Sequence, residues 1–166
     1  MQEPTIILSN KQIAHNIKRM AYQVYEANVD EKEVIMAGIK ENGFLLAKKI
    51  KAEVEKISPI SVILCEVRID KKKPTNPIET SLELASFTNK SLVLVDDVLS
   101  TGTTLIYGVK HFLEVPLKQF KTAVLVDRNH KKYPIKADFK GISLSTSLNE
   151  NVAVVFEKNS CKAILE

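Results

Sequence analysis

The chain has 166 residues, of which 45% are hydrophobic and 27% charged, and it carries a net charge of +4. This length and composition suit one globular domain with a sizeable core, which we expect to span residues 1–166. Two cysteines exclude a disulfide framework or a zinc site, and the lack of a secretory signal or a long apolar run favours a cytoplasmic protein.

The N-terminal half alternates between apolar runs and amphipathic segments. Its predicted elements are a strand at Thr5–Leu8, a helix after it, a strand at Glu33–Ile39, a helix over 44–57, a strand over 61–69 and a mobile loop over 71–80. Ser9 or Asn10 can cap the first helix, whose apolar side chains recur at three- and four-residue spacing.

The central stretch 91–104, SLVLVDDVLSTGTT, is the most informative part of the sequence. Residues 92–95 form a short apolar run typical of a parallel strand buried on both faces. Hydroxyl residues and Gly102 follow, and an apolar-periodic helix is predicted over 105–113. Such a turn offers hydroxyls and free helix N–H groups to a phosphate. The candidate phosphate-binding residues are Val98, Leu99, Ser100, Thr101, Gly102, Thr103 and Thr104.

Asp96 and Asp97 lie between the apolar run and this turn. Side chains alternate along a strand, so the two carboxylates are expected to face different ways and to have different roles. One would accept from sugar hydroxyls, and the other would orient the turn or bind a metal through water. The alternative is a capped turn beside two solvated charges. A Walker-type loop is excluded by the missing Gly-Lys-Ser/Thr.

The C-terminal part completes an α/β pattern. A strand is predicted over 121–126, followed by a loop and a closing hairpin of strands 152–157 and Cys161–Leu165. Alternating strands and helices favour a mainly parallel sheet with helices on both faces. The terminal pieces are expected to build a small hood and the edge of the sheet.

Three segments resemble a known family. VLVDDVLSTGTT is similar to the phosphoribosyl-diphosphate (PRPP) signature of type I phosphoribosyltransferases. Two further segments, VIMAGIKENGFLLAKKI at 34–50 and AVLVDRNHKKYPIKADFKG at 123–141, resemble the PyrR-like branch of pyrimidine operon regulators. The resemblance implies a central, mainly parallel sheet with flanking helices and a hood. It also implies Mg²⁺-dependent transfer of ribose 5-phosphate from PRPP to a nucleobase, with uracil the expected base, and release of pyrophosphate.

The same resemblance implies roles for individual residues. Asp96 and Asp97 would be catalytic, holding the ribose hydroxyls, and residues 100–104 would bind the 5′-phosphate. The Mg²⁺ would arrive with the substrate, without direct protein ligands. The implied pyrophosphate loop, where the family often has a non-proline cis peptide, is Lys40, Glu41, Asn42 and Gly43. The implied base-binding residues are Val126, Asp127, Arg128 and Tyr133.

Several positions depart from the family pattern. Glu41 and Asn42 stand where relatives carry Thr-Arg, Thr103 stands where they carry arginine, and the 71–80 loop is short, with three lysines in place of a Tyr-Arg pair. These departures favour one alternative, a nucleotide-binding member with little catalysis. A second alternative, implied by the resemblance, is an RNA-binding regulator of pyrimidine genes. The resemblance also implies a homodimer or tetramer. The candidate RNA-contacting residues are Arg19, His130, Lys131 and Lys136.

Overall fold

The computed structural model describes residues 3–147 and 149–166. Within these residues, nine strands, three α-helices and one short 3-10 helix are present. The strands are β1 (Thr5–Leu8), β2 (Glu33–Ile39), β3 (Ser61–Arg68), β4 (Glu79–Thr80), β5 (Ser91–Leu99), β6 (Gln119–Asp127), β7 (Phe139–Ser143), β8 (Val152–Phe156) and β9 (Cys161–Leu165). The helices are α1 (Asn10–Ala27), α2 (Asn42–Ile57), α3 (Thr103–Phe112) and the 3-10 helix Leu84–Phe87.

The central sheet has the strand order β4-β3-β2-β5-β6-β7. Strands β3, β2, β5, β6 and β7 pair in parallel, and β4 is antiparallel to β3. After β2 the chain adds β3 and then β4 on one side of the sheet, and after β5 it adds β6 and then β7 on the other side. The segments that follow β2 and β5 therefore lie side by side, at the position where open α/β sheets bind ligands.

Helices cover both faces of this sheet, as the sequence predicts. Helices α1 and α2 pack on one face, whereas α3 and the 3-10 helix pack on the other, which gives two apolar clusters. Strand β2 is buried from Val34 to Ile39, and the apolar part of β5 is buried throughout. The uninterrupted apolar runs in the sequence follow from this two-sided burial.

Helix α1 begins with a complete capping box. The Oγ of Ser9 accepts from the backbone N–H of Gln12, and the Gln12 side chain accepts from the backbone N–H of Ser9. The cap is thus Ser9, and the Asn10 side chain accepts instead from the N–H of Cys161. The predicted apolar stripe is confirmed, because its residues are buried: Ile13, Ile17, Met20, Ala21 and Val24.

The chain termini form a separate antiparallel sheet, in the order β1-β9-β8. The prediction that they also supply the edge of the central sheet was wrong, because β4 and β7 occupy its two edges. Both edge strands are short and lie in polar sequence, so they carry little apolar periodicity. In β7, for example, the buried residues are Phe139 and Gly141, and glycine adds no apolar side chain to the pattern.

Three element boundaries differ from the sequence prediction near the centre of the sheet. Strand β5 continues through both aspartates to Leu99, and α2 and α3 each begin two residues early, at Asn42 and Thr103. Asn, Gly and Thr are weak helix formers, so helix propensity alone does not predict that the helices begin at these residues.

No helix in the described part of the chain combines the length and apolar character that a bilayer crossing needs.

The first turn of α2 packs directly against the backbone of β5. A Cβ atom on Gly43 would lie 2.6 Å from the carbonyl oxygen of Val95 and 3.0 Å from the Cα of Asp96. These neighbours are main-chain atoms of a central strand and have little freedom to move. Only glycine allows α2 to begin this close to the two aspartates.

We predict that Gly43→Ala lowers the free energy of unfolding by about 1–3 kcal/mol, because the added methyl overpacks a rigid backbone contact. Gly108→Ala in α3 is the matched control, since its nearest contact would be the movable Cδ2 of Leu94 at 2.9 Å. Alanine favours a helix over glycine by about 1 kcal/mol, which offsets the milder contact at Gly108. Urea unfolding of both variants measures the difference. Equal losses at the two glycines would contradict this account of the packing.

Candidate active site

The candidate site lies at the carboxyl ends of β2, β3, β5 and β6. The pairing of Ile39 with Val67 and of Gly38 with Val95 brings the ends of β2, β3 and β5 to one edge. The first turns of α2 and α3 follow β2 and β5, so their free N–H groups also face this edge. The location matches that expected for an anionic ligand in an open α/β sheet.

The turn after β5 forms a small polar cavity. Gly102 is the N-cap of α3 and has a φ of 86°, a conformation that favours glycine. The hydroxyl oxygens of Thr101 and Thr103 are 2.9 Å apart, and the backbone N–H of Thr103 donates to Thr101 Oγ1 at 3.3 Å. The cavity of about 80 Å³ is lined by Lys71, Asp96, Val98, Leu99, Ser100, Thr101, Gly102, Thr103, Thr104, Leu105 and Val124.

The segment that follows β6 holds this turn from its outer side. The carbonyl oxygen of Thr101 accepts from the N–H of Lys132 at 2.8 Å and from that of Tyr133 at 3.3 Å. Ile135 covers Gly102 so closely that a Cβ there would lie 2.4 Å from the Ile135 Cγ2. The turn is thus held in place by its own protein neighbours.

Asp96 and Asp97 occupy different environments, as their alternation predicts. Asp96 is 4% exposed, whereas Asp97 is half-buried. The N–H of Asp97 donates to Asp96 Oδ1, and the N–H of Val98 donates to Asp97 Oδ1, both at 2.9 Å. Burial, followed by repulsion from Asp97, raises the pKa of Asp96 to about 8, although Lys71 opposes the shift. Asp96 can therefore hold a proton at neutral pH.

The loop after β2 contains a non-proline cis peptide between Lys40 and Glu41. The backbone N–H of Lys40 donates to the carbonyl oxygen of Val67 at 2.8 Å, and the Glu41 side chain is exposed. The side chain of Asn42 does not point along this loop but contacts Asp97. Of the four residues predicted to face pyrophosphate, Lys40 thus carries the cationic side chain, whereas Gly43 is buried against the β5 backbone.

A charged groove of about 490 Å³, lined by three basic and three acidic side chains, adjoins this loop. Glu66 Oε1 lies 3.9 Å from Lys40 Nζ and 3.6 Å from Arg68 Nε. Sequence reasoning did not single out Arg68. Arg68 is the last residue of β3, and the parallel register of β3 with β2 places it next to Lys40. The sequence signal was therefore only its position at the end of a predicted strand. The groove is lined by Lys40, Glu41, Arg68, Ile69, Asp70, Lys71, Asn76, Pro77 and Glu79.

A carboxylate organises the turn after β3, which the sequence predicts to be mobile. Asp70 Oδ1 accepts from the N–H groups of Lys72 and Lys73 at 2.9 and 3.0 Å, and its Oδ2 accepts from Asn76 Nδ2 at 3.0 Å. The two backbone bonds are the main reason why the pKa of Asp70 is lowered. Lys71, at the start of this turn, lines both the small cavity and the charged groove.

Two of the predicted base-binding residues lie at the end of β6. Val126 and Asp127 are both buried. The carboxylate oxygen Oδ2 of Asp127 lies 3.4 Å from Lys131 Nζ and 3.8 Å from Lys140 Nζ. The buried negative charge of Asp127 is therefore compensated from two sides.

Arg128, the third predicted base-binding residue, is 7% exposed and bridges two loops. Its guanidinium donates to Ser100 Oγ at 3.4 Å and to Thr146 Oγ1 at 3.0 Å, and it also donates to the carbonyl oxygens of Ser147 and Glu150. These contacts connect the turn at 100–104 to Thr146, Ser147 and Glu150.

Tyr133, the fourth predicted base-binding residue, is 37% exposed. Its ring packs edge-on against Tyr107 of α3, with centroids 6.4 Å apart. Its backbone N–H is one of the two donors that hold Thr101. Tyr133 therefore lies at the outer surface of the turn at 100–104, beside α3.

The candidate RNA-contacting side chains make intramolecular contacts. Arg19 donates to the carbonyl oxygens of Lys140 and Gly141 at 3.0 and 2.6 Å. The His130 ring hydrogen-bonds to Thr146. Lys131 pairs with Asp127, as described above, and the exposed Lys136 lies 3.7 Å from Asp138.

The described residues contain no group of three or more His, Cys, Asp or Glu side chains arranged to hold a metal ion. The acidic groups at the site are instead a pair of adjacent aspartates with unequal exposure. This donor set fits a divalent cation that arrives bound to a polyphosphate better than one held entirely by the protein.

The chain is similar to proteins of known family. The model of the phosphoribosyl transferase domain matches residues 4–159. The bifunctional protein PyrR of Bacillus pumilus is 35% identical over 100% of this chain and 99% of that protein. The bifunctional protein PyrR of Bacillus subtilis is 33% identical with the same coverage.

Two solved structures show the same fold. The hypoxanthine phosphoribosyltransferase of Trypanosoma cruzi has a TM-score of 0.79 at 14% identity and covers 97% of this chain and 95% of its own. A hypoxanthine-guanine phosphoribosyltransferase from Bacillus anthracis has a TM-score of 0.73 at 17% identity and covers 87% and 85%. The predicted fold class is thereby confirmed. This chain belongs to the type I phosphoribosyltransferase family, in the branch that contains the PyrR proteins.

Proposed function

We propose that the protein transfers ribose 5-phosphate from PRPP to a nucleobase and releases pyrophosphate. The observation that carries this proposal is the phosphate-sized turn at 100–104 beside Asp96 and Asp97, at the edge where β2 and β5 end. Uracil is the base we expect, because the sequence resemblance is to the PyrR-like branch. Membership of the phosphoribosyltransferase family supports the reaction class.

The turn and the acidic pair fit the sugar phosphate end of PRPP. The free N–H groups of the first turn of α3 and the hydroxyls of Thr101 and Thr103 would hold the 5′-phosphate. Asp97 would accept from the ribose hydroxyls, and protonated Asp96 would keep the buried side of the site neutral. Positive charge develops on the ribose ring as its C1–O bond to pyrophosphate breaks, and the Asp97 carboxylate would stabilise it.

The charged groove has three basic side chains that fit the diphosphate end. Lys40, Arg68 and Lys71 line it, and would hold the leaving group in line with an incoming base nitrogen. The base nitrogen forms the new bond to C1 as the C1–O bond breaks, and its proton passes to the leaving pyrophosphate. Because the base itself is the nucleophile, the reaction needs no nucleophilic side chain. Mg²⁺ bound to the diphosphate would neutralise its charge, and the half-exposed Asp97 could reach the ion through water.

Two further candidates have specific support. Similarity over the full chain to proteins named bifunctional PyrR favours a second, RNA-binding role. Thr103 and Asn42, which replace arginines expected from the family, favour a nucleotide-binding member with little turnover.

Product formation from PRPP, Mg²⁺ and a panel of nucleobases tests the first proposal, the transfer of ribose 5-phosphate to a base. Salt-sensitive binding to a pyrimidine-leader RNA tests the second, and tight nucleotide binding without turnover would support the third.

We predict that Asp97→Asn lowers kcat at least about 100-fold, because the amide keeps the shape but loses the charge that stabilises the developing cation. Asp30→Asn, the same change on the exposed surface, is the control. Steady-state kinetics with PRPP and uracil, or the base found in the screen, measures the effect. An Asp97→Asn enzyme as fast as the control would remove Asp97 from the mechanism.

We predict that Arg68→Gln raises the KM for PRPP about tenfold, since it removes one charge-assisted contact to the diphosphate. The KM for the nucleobase should change little. Lys90→Gln is the control, because it removes a positive charge at the opposite end of β5, where Lys90 pairs with Glu33. An unchanged KM for PRPP would show that Arg68 does not contact the substrate.

We predict that Asp96→Asn becomes more stable relative to the wild-type protein as pH rises from about 4 to about 8. The pKa of Asp96 is raised from 3.8 to about 8 by folding, so the folded state binds a proton that the unfolded state has lost. The contribution of Asp96 to the free energy of unfolding therefore falls across this window, and asparagine removes that loss. Urea unfolding at pH 5 and pH 9 measures the change, and a constant difference between the two proteins would contradict it.

A further inference from the structure

Asn42 connects the acidic pair to the small terminal sheet. It is the first residue of α2 and is half-buried. Its side-chain nitrogen Nδ2 donates to Asp97 Oδ2 at 3.1 Å and to the carbonyl oxygen of Val154 at 2.8 Å. Asp97 lies in β5 of the central sheet, whereas Val154 lies in β8 of the terminal sheet. One side chain therefore spans both sheets at the site.

The chemistry of the two partners fixes the orientation of this amide. A carboxylate oxygen and a backbone carbonyl oxygen both accept hydrogen bonds, so only the NH₂ group of Asn42 can face them. An amide NH₂ has two protons, and each has a partner here. Neither proton remains free to bind another group, so the contact saturates the donor capacity of Asn42.

These contacts also fix the carboxylate of Asp97. Its Oδ1 accepts from the N–H of Val98 and its Oδ2 accepts from Asn42. Each carboxylate oxygen can accept about two hydrogen bonds, so both keep the capacity to bind a ligand. The carboxylate is thus held at both oxygens while remaining able to accept from hydroxyl groups.

The position of Asn42 is itself imposed by the backbone. The next residue, Gly43, lies against Val95 and Asp96 at distances that exclude a side chain. This contact sets where α2 begins relative to β5, and so places Asn42 beside Asp97. Asn42 can reach Asp97 because β5 stays a regular strand through residue 99.

We propose that Asn42 is a positioning residue that orients Asp97 toward the ribose hydroxyls of the substrate and links it to the β8–β9 hairpin. The inference rests on the proposed function, because it takes Asp97 as the group that binds ribose. An amide suits this task because it donates hydrogen bonds without a positive charge.

The test compares ribose 5-phosphate with inorganic phosphate as ligands in isothermal titration calorimetry. Both ligands would use the turn at 100–104, but only ribose 5-phosphate has hydroxyls for Asp97. We expect Asn42→Ala to weaken ribose 5-phosphate binding about tenfold and to leave phosphate binding unchanged. We expect Asn42→Asp to weaken it further, because a second carboxylate would face Asp97. Asn159→Asp, in the exposed turn of the β8–β9 hairpin, is the control for charge.

The design separates the possible failures. Alanine favours a helix and adds no repulsion with Asp97 or the Val154 carbonyl, so Asn42→Ala carries the test even where Asn42→Asp fails to fold. Ribose 5-phosphate affinities equal to wild type in the folded variants would overturn the role of Asn42 alone. Parallel losses of both ligands would also overturn it, since they would indicate general damage to the site. A wild-type protein that binds phosphate but not ribose 5-phosphate would overturn the proposed function as well.

Discussion

The direct parallel pairing of β2 with β5 is the constraint on which the site depends. These strands are separated in sequence by α2, β3, β4 and the 3-10 helix, yet they are neighbours in the sheet. The pairing brings a cis-peptide loop, an acidic pair and a glycine-containing turn to one edge. Gly43 tightens this arrangement, because α2 starts in contact with the β5 backbone. Every proposed ligand contact follows from that close approach.

Unequal burial then gives similar residues different chemistry. Asp96 and Asp97 are adjacent in sequence, but only Asp96 is fully enclosed, and its pKa is raised to about 8. The site can thus carry one negative charge rather than two while keeping two carboxyl groups beside the turn at 100–104. Lys71 adds a cation at the border of the two binding regions. Under the proposed function, these groups would offer hydrogen bonds and charge to each part of a PRPP molecule.

The local pattern at 91–104 predicted the strand, the turn and the following helix because each is encoded by neighbouring residues. The apolar stripe of α1 was readable for the same reason. The edge strands β4 and β7 were not, because they are short, polar and stabilised by partners far away in sequence. Arg68 and the contact of Asn42 with Asp97 were missed because both depend on strand order, and neither strand order nor register is written in local periodicity.

The outer anchoring of Thr101 has a geometric consequence for the turn. In a trans peptide, the C=O and the following N–H point in opposite directions. The Thr101 carbonyl is directed toward Lys132 and Tyr133, which both donate to it. The N–H of Gly102 must then be directed away from that segment, toward the open side of the turn. The donor is aimed before any anion arrives, so capture requires no rotation of the peptide plane.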